Sequence, residues 1–150
     1  MKPELGTLIH ATLRSEDLLP AFVSELKRLG YHGKRGGAFE RASRFVRRDS
    51  WEDLTDDQME EASELVNDCQ DLLSDMAPPY CYFGNTEGDG SDFGFWPYSD
   101  WQQMAKDDGI PMEEPEADYS GLWFSISDHG NVTCYERDMD GKNYEMWGVV

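Results

Sequence analysis

The most abundant chemical group in this sequence is the carboxylate: 31 Asp and Glu against 13 Lys and Arg, for a formal charge of −18. Carboxylates ligate hard cations, work in pairs as general acid and base, or present fixed negative charge to a basic surface. Spacing separates these uses. Asp57, Glu60, Glu61, Glu64, Asp68, Asp71 and Asp75 recur at three- and four-residue steps. On a helix that spacing forms one row, with neighbours roughly 5–6 Å apart. No Lys or Arg falls between Asp49 and Gln103 to break it. Like charges at this spacing destabilise a helix by about 0.2–0.5 kcal/mol per pair. Two readings follow: a solvated outer face, or a surface that presents regular negative charge to a basic partner. Glu87, Asp89 and Asp92 in a Gly-rich stretch, and Glu113, Glu114, Glu116 and Asp118 in a Pro-containing one, are assigned to the same partner-binding surface.

Other chemistries find less support. Glu87–Asp92 gathers carboxylates and glycines as calcium loops do, and Glu136, Asp138 and Asp140 before Gly141 match the first half of such a loop. The bidentate Glu that should follow is replaced by Trp147, and strands flank both stretches, so hairpin turns explain them and no metal is expected. His10, His32 and His129 are far apart and lie in no metal-binding spacing. Cys69, Cys81 and Cys134 read as reduced core thiols of a cytoplasmic protein. A pairing of Cys81 or Cys134 with His129 is the one route to a nucleophile, and buried thiols beside a turn histidine are the preferred reading. Gly33-Lys34-Arg35-Gly36-Gly37 lacks the spacing of a phosphate-binding loop, and Arg, not Ser or Thr, follows its Lys. No cofactor and no catalytic residues are expected.

The elements that position these groups are legible from periodicity. Met59, Ala62, Leu65, Val66, Cys69, Leu72, Leu73 and Met76 form the apolar face of a helix over 55–76, capped by Thr55 and stopped by Pro78 and Pro79. Before it, 6–13 reads as a strand and 15–29 as a helix capped by Ser15, with Pro20 in its first turns and Gly30 at its end. A short helix over 38–48 turns Phe39, Ala42, Phe45 and Val46 inward and Arg41, Arg44, Arg47 and Arg48 outward. After it come strands at 80–84 and 92–96 joined by a loop over 85–91, and a short helix over 98–108 begun by Ser99, with Trp101 and Met104 inward. A loop over 109–120 leads to a meander of strands at 122–127, 131–137 and 144–149. The expectation is one α+β domain over 1–150, with a mainly antiparallel sheet of about six strands and three or four helices on one face.

Charge is distributed unevenly. Residues 1–48 carry ten basic and five acidic side chains; residues 49–150 carry three basic and 26 acidic ones. The acidic part repels nucleic acid phosphates and anionic membranes and attracts basic protein surfaces. No apolar run is long enough for a membrane span, and the amino terminus lacks a signal-peptide core. The four arginines of 41–48 are expected to pair with acids of the same chain or of a second copy in a homodimer.

Four stretches, Thr12–Phe22, Pro78–Gly84, Gly88–Trp96 and Ser127–Thr133, resemble small acidic accessory proteins carried by bacteriophages and plasmids. The resemblance covers roughly a third of the chain and implies a setting, not residue roles. Mobile elements of this kind encode acidic inhibitors of host defences, including DNA mimics that block restriction or CRISPR machinery. It implies a non-enzymatic anti-defence inhibitor in the bacterial cytoplasm, with a basic, nucleic-acid-binding protein as partner. An immunity or regulatory protein that binds one toxin or enzyme, and a small enzyme with an unrecognised site, are the alternatives.

Overall fold

Four helices and six strands form in the order β1 (Gly6–Ile9), α1 (Ser15–Arg28), α2 (Ala38–Val46), α3 (Asp56–Asp75), β2 (Cys81–Thr86), β3 (Asp89–Pro97), α4 (Trp101–Asp107), β4 (Gly121–Ile126), β5 (Val132–Arg137) and β6 (Asn143–Val149). They are seen in a computed structural model that describes residues 2–48 and 50–149. The α+β class holds, with the strands divided between two three-stranded sheets, ordered β1-β3-β2 and β4-β5-β6. The division has a simple cause: β1 takes the open edge of β3, while β4, β5 and β6 satisfy one another through consecutive hairpins. The chain resolves into two compact units, Met1–Ala77 with Tyr82–Trp96, and Pro78–Cys81 with Pro97–Val150.

In the first unit, α1, α2 and α3 share one core with β1, β2 and β3. Leu19, Phe22 and Leu26 of α1 and Leu65, Cys69 and Leu73 of α3 are fully buried, as their three- and four-residue spacing requires. Phe22 packs edge-on against Phe83 at 5.1 Å, and Phe83 against Phe95 at 4.9 Å, which ties α1 to the sheet. Strands β1 and β3 approach so closely at Gly94 that a Cβ there would lie 2.0 Å from the Gly6 carbonyl oxygen. Only glycine fits.

Several boundaries differ from the periodicity. Strand β1 ends at Ile9, short of Leu13, because the chain turns at Ala11, where φ is 64°. Leu13 is 67% exposed. Arg14, not Ser15, is the N-cap of α1 and makes no side-chain cap; the entry is organised by Thr12, whose hydroxyl donates to Asp17 at 2.6 Å. Helix α2 ends at Val46, and α4 begins at Trp101 behind Asp100 instead of Ser99. The 85–91 loop contracts to a two-residue turn, Glu87-Gly88, because Gly88 adopts φ 90° and lets both strands extend. Met59, placed on the apolar face by spacing, is 57% exposed at the margin of that face.

In the second unit, Trp101 of α4 packs on Phe124 at 4.7 Å and on Trp147 at 5.6 Å, and the Trp147 indole donates to the Pro79 carbonyl at 2.7 Å. Trp123 stacks on Tyr135 at 4.7 Å. These residues share a sheet face with cross-strand partners: Phe124 pairs with Cys134 and Cys134 with Trp147, while Trp123 pairs with Tyr135.

Candidate functional site

Helix α3 carries the longest acidic row. Its start is fixed by a capping box: the Gln58 amide donates to the Thr55 hydroxyl at 3.2 Å, and the Thr55 amide to the Gln58 side chain at 2.9 Å. Asp56 and Asp57 suit the positive end of the helix, whereas no basic residue offsets Asp71 and Asp75 towards the negative end. At about 100° per residue, Asp57, Glu60, Glu64, Asp71 and Asp75 fall within an arc of roughly 60°. All five are exposed. None makes an ion pair or hydrogen bond among the described residues.

The remaining two carboxylates of the row lie on its edge towards α2. Asp68 is half-buried, with Arg41 Nη2 3.8 Å from its Oδ2. Glu61 lines a cleft of about 260 Å³ with Arg41, Arg44, Phe45 and Arg48. The Arg48 guanidinium sits over the Phe45 ring, 4.7 Å from its centroid. The arginines of 38–48 thus meet the acidic row on one edge and leave its outer five charges without a counter-ion. Arg44 is also held by Glu40 at 2.8 Å.

The other acidic groups divide. Glu87 and Asp89 are exposed at the β2–β3 turn, in the same unit as α3. Asp89 accepts from the Ser91 amide at 3.0 Å and the Ser91 hydroxyl at 2.9 Å, which holds its carboxyl below the usual range. Asp92 is half-buried, and its Oδ1 has no hydrogen-bond partner. Glu113, Glu114, Glu116 and Asp118 belong to the second unit, are exposed, and line an open depression of about 540 Å³ with Pro111, Pro115 and Tyr119.

Spacing did not disclose how that second loop is held. Arg137 is only 6% exposed, and its Nη1 donates to the Glu116 carbonyl at 2.9 Å and the Pro115 carbonyl at 3.3 Å. Its Nε donates to Asn143 at 3.0 Å, and Glu114 lies 3.6 Å from Nη2. The signal was compositional: Arg137 is one of three basic residues after position 48. Also unforeseen is a groove of about 300 Å³ at the start of α3, walled by Trp51, Leu54, Met59 and Ala62, with Glu52 and the Arg14–Glu16 pair at its rim.

Asp138, read above as half of a calcium-like loop, spends its carboxylate within its own turn. It accepts from the Asp140 and Lys142 amides, each at 2.9 Å, and from the Tyr144 hydroxyl at 3.2 Å. Its carboxyl is held down chiefly by the Lys142 amide. Among the described residues no group of three or more His, Cys, Asp or Glu converges as a metal site. Cys69, Cys81 and Cys134 are buried and unpaired, and burial pushes each thiol up to about 12. His129 is exposed at the β4–β5 turn. No described helix is long and apolar enough to cross a membrane. No protein-family model, curated protein or solved structure matches the chain.

Proposed function

We propose that this protein is a non-enzymatic inhibitor, working in the cytoplasm of a bacterial host, that uses the outer face of α3 in place of nucleic acid phosphates. Its partner is a basic groove on a restriction- or CRISPR-type defence protein, or on another nucleic-acid-binding protein. The observation that carries the reading is the set of five exposed carboxylates on α3 that have no counter-ion among the described residues, in a chain that has arginines within reach of the same helix. From Asp57 to Asp75 the row runs about 27 Å, so its five uncompensated carboxylates average one charge per roughly 7 Å, against about 3.4 Å between phosphates along one strand. A single face therefore carries about half the charge density of one strand, so a second acidic surface or a dimer is needed to imitate a duplex. Glu87, Asp89, Asp92 and the 113–118 carboxylates are the further negative groups available to a partner.

The test is affinity capture from a bacterial lysate at low and high salt, with retained proteins identified by mass spectrometry. Capture of a basic, nucleic-acid-binding protein is expected at low salt and its loss at high salt, since electrostatic association is screened. Changing Glu60, Glu64, Asp68 and Asp71 to Lys should abolish capture while the fold, followed by circular dichroism, persists. Undiminished capture by that variant refutes the reading. The groove beside Trp51 and Met59 favours a second reading, an immunity or regulatory protein that engages one toxin or enzyme by shape as well as charge. A toxin gene beside this one, and capture that survives high salt, would select it.

A further inference from the structure

Among the described residues of the first unit, Leu13 and Met59 are the large apolar side chains left exposed, at 67% and 57%. Both mark the groove at the start of α3: Met59 is part of its wall, and Leu13 precedes Arg14 on its rim. Ala62, one turn further along α3, is buried, and Trp51 and Leu54 are half-buried. The Trp51 ring is held against the buried Phe45 at 5.1 Å, so the core fixes that wall. At about 300 Å³ the groove matches the lower limit of ligand pockets, which span roughly 300–1,000 Å³, and it suits one large side chain.

The free charge around this groove is of one sign. Arg14 is the only base on the lining, and its Nε already donates to Glu16 at 2.7 Å. Glu52 on the rim and Asp53 beside it are exposed and make no ion pair among the described residues. Asp56, one turn before Met59 on α3, is exposed and equally unpaired among them. A bare apolar groove discriminates little between partners; these carboxylates repel anionic segments and favour one that carries cations. The acidic row starts at the same helix end, with Asp57 and Glu60 on either side of Met59 in the chain. A second copy of this chain is a poor occupant, because its most exposed large apolar side chain, Met139 at 95%, stands between Asp138 and Asp140.

We propose that this groove is an anchor site for a protein partner, taking one aromatic or large aliphatic side chain from a segment with Lys or Arg on both sides of it. The inserted side chain loses its water against Trp51 and Met59, and the flanking cations meet Glu52, Asp53 and Asp56. Met59, unbranched and flexible, adapts to the shape of the entering group. The site rests on the acidic-surface reading for the sign of the partner's charge and adds a fixed point to it. Charge alone lets a basic surface slide along the row, whereas an inserted side chain sets its register.

Titration of the isotope-labelled full chain with three short peptides, followed by amide and indole chemical shifts, tests it. One peptide has phenylalanine between pairs of lysines, the second has alanine in its place, and the third has phenylalanine between pairs of glutamates. The phenylalanine–lysine peptide is expected to bind roughly tenfold tighter than the alanine one, as burial of one large side chain allows, and to shift the Trp51 indole and Ala62. The glutamate peptide should not bind. Met59→Gln, at an exposed position, should erase the difference between the two lysine peptides while the alanine peptide keeps its affinity. Equal affinities of the two lysine peptides with shifts confined to the acidic row, or a difference that survives Met59→Gln, would overturn the anchor site and leave the acidic surface standing. Binding of the glutamate peptide would overturn the charge selection on which the site depends. If neither lysine peptide shifts α3, the anchor site and the acidic-surface reading fall together. A dimer in sedimentation that Met59→Gln dissolves would assign the groove to a second copy and overturn the proposal.

Discussion

Replacing Glu64 and Asp71 together by Lys tests whether the outer face of α3 is uncompensated, without any knowledge of a partner. Glu64 has carboxylates at helical spacing in Glu60, Glu61 and Asp68, and Asp71 has them in Asp68 and Asp75. The substitution turns five like-charge pairs into opposite-charge pairs. At about 0.2–0.5 kcal/mol per pair, relief of repulsion alone amounts to roughly 1–2.5 kcal/mol. Lys at position 71 also moves positive charge towards the negative end of the helix, where none exists in the native sequence. For a chain of this size each kcal/mol raises the melting temperature by about 2–4 °C. The double variant should therefore melt roughly 2–10 °C above the native protein in low-salt buffer, by circular dichroism at 222 nm. The gap should narrow in 0.5 M NaCl, because these side chains are exposed and salt screens them. A melting temperature unchanged or lowered at low salt would mean that Glu64 and Asp71 are already compensated, and the free acidic face would not exist. A gain in stability together with loss of partner capture would separate the function of the face from its effect on folding.

Arg137→Met keeps volume but removes the donors to Pro115, Glu116 and Asn143. It should cost about 2–4 kcal/mol in urea unfolding and raise amide exchange across 115–119; a smaller loss with unchanged exchange would show that the loop is held by other contacts. The three cysteines give a pH prediction. Their thiols are raised from an ordinary 9.0 to about 12 by burial, so the folded state retains protons that the unfolded state releases. That contribution is full below about pH 9 and is lost as pH climbs towards 12, so the urea midpoint should fall over this window and fall less in Cys69→Ala. Native protein at pH 8 should also leave Ellman's reagent unconsumed until denaturant is added; rapid labelling of the folded chain would contradict the burial.

Much of the fold was legible because its rules are local. The 3.6-residue repeat of Leu65, Cys69 and Leu73, the Thr55 cap and the stop at Pro78 placed α3 to within a residue at each end. Alternation and turn residues located β4, β5 and β6 almost as well. Where the reading missed, backbone conformation or a distant contact decided: the positive φ at Ala11 cut β1 short, and the positive φ at Gly88 tightened the hairpin. Met59 shows the limit of periodicity. It has the right spacing for the apolar face, but the neighbouring elements do not extend over its margin.

The acidic row itself follows from residue types and spacing alone, since helical geometry sets the azimuth of every side chain about its own axis. What lies across from each azimuth does not follow. Only packing of α2 against α3 divided seven carboxylates into Glu61 and Asp68, which face arginines, and five that face none. Only tertiary packing, too, set Trp51 and Arg14 beside the start of α3 to make a groove. Charge pairing depends on distances of a few ångströms between groups far apart in the chain, and those distances exist only once the helices have docked.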